Sequence, residues 1–177
     1  MWVKPTLVII RALSYILTLG RQGIPDAAHV AVLNANYLKY RLCGSSDSKN
    51  AAYDDAHNIA YDVAYDGLCM HKFVITLAKM KKDYGVSAID IAKMLLDNSM
   101  HPPTMYFPLI VEEALMLELT ETESKENLDR AADLFLAILK ISKENPDMLH
   151  HAPTKTPIRR PDELNAARNP VLKYRFP

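Results

Sequence analysis

Cysteine and glycine are scarce in this 177-residue chain, and neither sign of charge is in excess. The two cysteines, Cys43 and Cys69, stand too far apart for a CxxC redox or zinc pair and are too few for a disulfide framework. Thiols of that kind point to a reducing cytoplasm. The five glycines, at 20, 23, 44, 67 and 85, form neither a GxGxxG nor a Walker loop to cradle a phosphate. A GxSxG elbow, an HExxH metal pair and an assignable serine, histidine and acid triad are also missing. The 21 basic and 21 acidic residues cancel, which removes the basic surplus that nucleic acid or an anionic membrane surface would attract. The opening "MWVKPTLVIIRALSYILTLG" is interrupted by Arg11, is too short and charged to span a bilayer, and lacks the small-residue cleavage pattern of a signal peptide.

What is present describes an ordinary soluble domain. An apolar fraction of 49% and a charged fraction of 24% fit a globular chain, and the length suits one domain with a real core. Residues 1–149 read as that domain and 150–177 as a proline-punctuated, basic arm that docks on another surface. No internal repeat or low-complexity tract is visible.

From Pro5 to about Leu19 the chain is helix-forming and apolar almost all round, with Gly20 placed to stop it. Such a helix should be buried on most of its surface, and for a first element the cover must come from outside this chain. Pro25 can open a second helix, whose inner stripe reads as Val30, Leu33, Tyr37, Leu38 and Arg41. Asn34 falls on that stripe, either as a buried amide with partners or as a functional contact; the first is expected. Residues 44–58 carry turn formers and read as a loop. "AYD" recurs at Ala52, Ala60 and Ala64, and its Asp54, Asp62 and Asp66 are read as coincidence rather than a metal site.

"CMHKFVITL", Cys69 to Leu77, reads as a strand containing a packed His71. Ser87 and Asp90 form a capping-box variant opening a helix whose inner face is Ala88, Ile91, Ala92 and Leu95, ending near Asn98. Ala114 to Leu119 reads as a second strand. Thr120 and Glu123 then read as a capping pair for a long amphipathic helix. Its buried face is Leu128, Ala131, Ala132, Phe135, Ile138, Leu139 and Ser142, with Glu126 and Arg130 as a surface pair. The charges of "TETESKE" suit the positive end of that helix and need no catalytic explanation. His150 and His151, adjacent in sequence, make a weak metal pair.

Between helix and strand lies "HPPTMYFPL", residues 101–109. Prolines push His101, Pro102 and Phe107 toward extended geometry, so the segment is a stiff crossover that fixes where its side chains point. His101 and Thr104 are the candidate site residues: either they face a cleft or they brace the loop.

"AVLNANYLKYRL", "YDVAYDGLCMHKFV", the run from "GVSAIDIAKMLL" through "HPPTMYFPL" to "TETESKENLDR", and "HAPTKTPIRRPDELNAARNPVLKY" together resemble the carboxy-terminal part of the subunit 2 family of glycine dehydrogenases (decarboxylating), the P-protein of the glycine cleavage system. The resemblance implies the small domain of a fold-type-I pyridoxal 5'-phosphate enzyme: an α/β unit of α+β type, with a short, mostly antiparallel sheet covered by helices. It implies decarboxylation of glycine and transfer of the aminomethyl group to the lipoyl group of H-protein. Glycine dehydrogenase subunit 1 is the implied partner, in a heterotetramer of two copies of each subunit. None of Lys4, Lys39, Lys49 or Lys72 lies in a matching cofactor-lysine motif, so the lysine is expected in a large domain that these residues do not include, and the chain alone should be inactive. His101 and Thr104 are expected to face the cofactor cleft, and Arg11 to pair with a carboxylate at a domain or subunit junction. The pattern departs from the family where proline is expected at Ala64, Leu68 and Leu119 and glutamate at Lys72. Two alternatives remain: the small domain of another fold-type-I enzyme, or a free-standing interaction domain.

Overall fold

A computed structural model of the chain describes residues 5–44 and 61–173; all of the 44–58 loop except Gly44, the first two "AYD" positions, Lys4 and Lys49 lie outside the described residues. In chain order the elements are α1 (Thr6–Cys43), β1 (Asp62–Val63), β2 (Lys72–Thr76), α2 (Ala78–Tyr84), α3 (Ala88–Asp97), β3 (Thr104–Met105), β4 (Ala114–Glu118), α4 (Lys125–Glu144), α5 (Pro146–His151) and α6 (Glu163–Arg168). The strands form one antiparallel sheet in the order β1-β2-β4-β3. The expected short antiparallel sheet covered by helices is therefore what the chain forms.

Register explains why the sheet has one deeply packed face. Phe73 stands opposite Leu117 and Ile75 opposite Leu115, and all four are buried. Alternation sends them to the same side, where they meet Leu38 and Leu42 of α1, Ile91 and Leu95 of α3, and Phe135 and Ile138 of α4. Tyr61 closes this core: its ring meets Phe135 edge-on at 5.8 Å and its hydroxyl donates to the Phe135 carbonyl at 2.7 Å. At Ala64 and Leu119, where the resemblance leads to proline, backbone N–H groups extend the sheet instead, donating to Val74 O (2.8 Å) and His71 O (2.9 Å). Proline could make neither bond.

The helices of the middle of the chain follow their sequence signals. Ser87 and Asp90 form the capping box of α3, whose buried face includes Ala88, Ile91, Ala92 and Leu95 and whose C-cap is Asn98. In α4 the buried residues are Leu128, Ala132, Phe135, Ile138, Leu139 and Ser142, with Ala131 half-buried. Its cap is not the Thr120 and Glu123 pair, however. Ser124 is the N-cap, its hydroxyl accepting from Asn127 N at 3.2 Å, while the Thr120 hydroxyl is engaged with that of Thr122 at 2.7 Å in the turn that precedes the helix. The short α2 has no marked apolar periodicity and was not anticipated.

α1 departs most from the sequence reading. Gly20 stops the first helical stretch, as its position suggests: at φ 65 and ψ −169, a conformation closed to residues with a Cβ, it is non-helical, and α1 is two helices meeting at a kink there. Pro25 lies inside the second of them rather than at its first position. The half at 6–19 is exposed rather than buried, with Leu7 at 78% and Leu17 at 72% accessible. By length and composition alone α1 is apolar enough to cross a membrane. In the half at 21–43 the inward residues are Asn34, Ala35, Leu38, Lys39 and Leu42. Leu33 is exposed and Val30 partly so: the apolar residues that pack are Ala35, Leu38 and Leu42, themselves at helical spacing, with Asn34 and Lys39 beside them bonded to the flanking loops.

The first part of the arm lies along this same domain. Asp97 accepts Thr154 N (2.6 Å), Lys155 N (2.8 Å) and the Thr154 hydroxyl (3.1 Å). Arg160 donates to Ala152 O (2.7 Å), Leu149 O (3.1 Å) and Asp90 (2.7 Å). Ala152 and Pro153 are buried beneath these bonds, while residues 161–173, including α6, are exposed.

Two predictions test this packing. Leu38→Ala should cost about 2–5 kcal/mol of stability, whereas Leu33→Ala should change it by no more than about 0.5 kcal/mol. Urea denaturation followed by circular dichroism measures both, and equal losses would restore the stripe read from spacing. The second prediction concerns pH. Burial works to raise the Asp90 carboxyl, but hydrogen bonds from Ser87 and then Arg160 outweigh it and hold the group below the usual carboxylate range. A carboxylate held low in the folded state stabilises above its unfolded pKa, near 3.9, and loses that contribution as pH falls through the depressed folded value. Asp90→Asn should thus be less stable than the parent at neutral pH, with the gap shrinking below about pH 4. A gap that stayed constant through acid denaturation would remove the charge from the account.

Candidate functional site

The HPPT segment is delivered by the end of α3. Asn98 caps the helix, Ser99 turns through a left-handed φ of 58, and Met100 N returns to Leu95 O at 3.0 Å. The prolines that follow exclude further helix, and the chain enters β3 at the sheet edge with Thr104 opposite Met116. Tyr106, at φ 56, donates its N–H to Ala114 O at 2.8 Å, and the Phe107-Pro108 peptide is cis. What sequence presents as a crossover therefore contains a two-residue strand, held by pairing with β4.

This arrangement opens a cleft of about 650 Å³ between the segment, the end of β4 and the first turns of α4. Leu38, Leu117, Leu128 and Phe135 form its apolar floor. His101 and Thr104, the two residues selected from sequence, both line it and are exposed. Glu118, Glu123, Asn127 and Arg130 join them. Asn127 Nδ2 donates to the Glu123 carboxylate at 3.3 Å. Arg130 donates to Asn98 O at 3.4 Å, so α4 is tied to the point where the HPPT segment leaves α3.

Sequence reasoning missed Glu123, Asn127 and Arg130 as cleft residues. Asn127 and Arg130 are three apart on α4 and so share a face, one that flanks the buried stripe rather than opposing it. That adjacency was the available signal. Other candidates lie elsewhere. His71 Nε2 is 3.6 Å from Glu118 Oε1 and half-exposed. His150 is 3.5 Å from Asp90, and His151 Nδ1 lies 2.7 Å from Asp147 O. Asp66 accepts from Gly67 N, Asp62 lies in β1, and among the described residues no group of three or more ligating side chains could hold a metal.

The walls of the cleft are fastened to α1. Asn34 Nδ2 donates to Thr120 O (2.9 Å) and Glu123 O (3.1 Å), so the expected partnered amide is what occurs. Asn36 donates to Cys69 O (2.7 Å) and accepts Cys69 N (3.0 Å), treating that residue as a neighbouring strand would. Tyr37 and Arg41 both donate to Asp129 of α4, and Arg41 also reaches Asp133 at 2.9 Å. Hydrogen bonds from Lys125 and Tyr37 hold the Asp129 carboxyl below its ordinary value.

Chemically, the cleft offers imidazole, hydroxyl, amide and guanidinium donors beside two carboxylates, over a dry floor. Such a set can bind and orient a small polar ligand. It supplies no attacking amine, since no lysine lines it and the Lys39 amino group is spent on Gly67 O (2.6 Å) and Tyr65 O (3.4 Å). Nor is a ready thiolate at hand: burial pushes Cys43 up to about 12, and burial also raises Cys69.

Comparison with known proteins assigns the chain to a family. Residues 27–156 match the family described as "Glycine dehydrogenase, C-terminal domain". Among curated proteins, the "Probable glycine dehydrogenase (decarboxylating) subunit 2" of Treponema denticola is 53% identical over 169 residues, covering 96% of this chain and 32% of the relative. The proteins of the same description from Thermosipho africanus and Caldanaerobacter subterraneus are 48% and 51% identical, over 96% and 94% of this chain and 32% and 31% of their own lengths. The chain thus spans about a third of the length of the relatives it matches. It belongs to the glycine dehydrogenase C-terminal domain family.

Proposed function

We propose that this chain is the carboxy-terminal part of a pyridoxal-phosphate-dependent glycine decarboxylase, which releases carbon dioxide from glycine and passes the aminomethyl group to the lipoyl arm of an H-protein. In this reading it acts in the cytoplasm with glycine dehydrogenase subunit 1, in a heterotetramer of two copies of each. The observation that carries the reading is the family membership over nearly the whole chain. The cleft is in keeping with it: groups that can bind a small polar ligand stand on the HPPT segment and on the facing start of α4.

The residues of this chain do not by themselves fit the cofactor. Lysines and a phosphate loop to hold it are absent from the cleft, so its holders belong to the two thirds of the relatives' length that this chain does not span. When bound, the cofactor supplies an electron sink for the bond that breaks. What this chain contributes is positioning. The His101 imidazole and Thr104 hydroxyl orient the substrate from the rim, and the apolar floor keeps water from it. The exposed half of α1 and the exposed residues 161–173 pack on the large domain or on subunit 1, with Arg11 meeting a carboxylate at that junction.

Glycine-dependent exchange of labelled bicarbonate tests the reading. The complete two-subunit enzyme with lipoylated H-protein should catalyse it, and the 177-residue chain alone should not. His101→Ala and Thr104→Ala in the complete enzyme should each lower kcat/KM about tenfold or more. Absence of exchange by the complete enzyme would overturn the assignment. Unchanged kinetics in both variants would reduce the two residues to braces of the loop.

A further inference from the structure

The turn at residues 120–123 forms part of the cleft wall, and it lacks a ladder of its own. It joins β4 to α4, and its backbone closure is a long hydrogen bond, Glu123 N to Thr120 O at 3.4 Å, with the Thr120 and Thr122 hydroxyls 2.7 Å apart on the exposed side. Such a backbone closure is weak by itself. Yet Leu119, which precedes it, and Glu123, which ends it, line the cleft together with His101 and Thr104. Where the turn sits decides how wide the cleft is and where the Glu123 carboxylate stands.

Asn34 supplies the missing constraint. It is 7% exposed, on the inward face of α1, and its two amide hydrogens are shared between the two carbonyls that the turn brings together, Thr120 O and Glu123 O. An amide nitrogen offers two donors in one plane, so a single side chain fixes both ends of the turn at once. Downstream, Glu123 accepts from Asn127 and Ser124 caps α4, so the position set by Asn34 passes directly into the helix that carries Asn127 and Arg130. From outside the cleft, the Tyr15 hydroxyl donates to Glu121 Oε1 at 2.9 Å, so both halves of the bent α1 hold the same turn.

We propose that Asn34 is a positioning residue for the cleft: it fixes the 120–123 turn opposite His101 and Thr104, and acts on the reaction through that turn without touching the substrate. This rests on the glycine-decarboxylase reading for its kinetic consequence, but not for its structural one. Removing the amide takes the side-chain donor away from both carbonyls, leaving Thr120 O only its long bond from Glu123 N, and lets the turn shift. Displacement of a wall by about an ångström is enough to lower a rate up to about a hundredfold. Asn34→Asp keeps the size of the side chain while placing oxygen against oxygen, so it should be at least as damaging as Asn34→Ala.

The test uses the complete enzyme with Asn34→Ala and Asn34→Asp, and Gln22→Ala on the exposed face of the same helix as control. Two measurements are made well below the melting temperature: steady-state glycine kinetics per folded enzyme, and amide hydrogen exchange over residues 119–127 and 72–76. Both Asn34 variants should lose about 10–100-fold in kcat/KM. Exchange should rise at 119–127 and stay unchanged in β2, and Gln22→Ala should match the parent. Faster exchange at the turn with kcat/KM within twofold of the parent would make Asn34 merely structural and overturn the proposal. Unchanged exchange would overturn it as well, by showing that the turn holds itself. If the parent enzyme itself fails to decarboxylate glycine, the function assigned above falls, while the exchange result still decides whether Asn34 fixes the turn.

Discussion

The loops that flank the strands are held against the core by hydrogen bonds, and in this domain the C-terminal half of α1 provides them. Within two turns, Asn34 takes two carbonyls of the 120–123 turn, Asn36 takes both main-chain groups of Cys69, and Lys39 takes carbonyls at Tyr65 and Gly67. Each of these segments flanks a strand, before β2 or after β4. A helix with an apolar inner face could pack on the sheet but could not satisfy its flanking loops. Polar residues on the inner face are therefore what lets the loops lie close against the core, and the cleft exists because they do.

That requirement also explains which parts of the fold were legible in the sequence. Where burial is driven by apolar contact, as along α4 and α3, periodicity identifies the inward residues, because the same physics writes the pattern and packs the helix. In α1 two apolar series stand at helical spacing, and the one that packs is Ala35, Leu38 and Leu42, which shares its face with the bonded Asn34 and Lys39, while Leu33 stays exposed. The start of α4 fails for a different reason. Thr120, Thr122 and Ser124 are all competent caps; the Thr120 and Thr122 hydroxyls bond each other at 2.7 Å, and Ser124 begins the helix. The two-residue strands β1 and β3 carry no local signal, since each exists through its pairing with β2 or β4.

The candidate site divides along the same line. His101 and Thr104 were readable because proline constrains the backbone locally, and a rigid segment can be recognised without knowing what it faces. Glu123 reads as a capping partner and Arg130 as half of a surface pair with Glu126, and Asn127 carries no signal of its own. The first turns of α4 are exposed, and what they are exposed to is the cleft. A surface charge acquires a role through the element that comes to lie beside it, and the meeting of α4 with the HPPT segment is a long-range fact.

The two ends of the chain show how the domain is suited to work beside something larger. At the carboxy end, Asp97 and Arg160 satisfy main-chain groups of the arm over residues 149–155, which fixes the arm's departure point while leaving 161–173 in solvent. At the amino end, the bend at Gly20 separates a half that is bound into the domain from a half that is not. An apolar helix of fourteen residues is marginal in water by itself, since most helical stability comes from packing an apolar face. The Tyr15 hydroxyl of the half at 6–19 donates to Glu121 of the cleft turn. A load on that helix consequently bears on the turn that Asn34 holds from the other side, so the exposed half of α1 and the shape of the cleft are mechanically coupled.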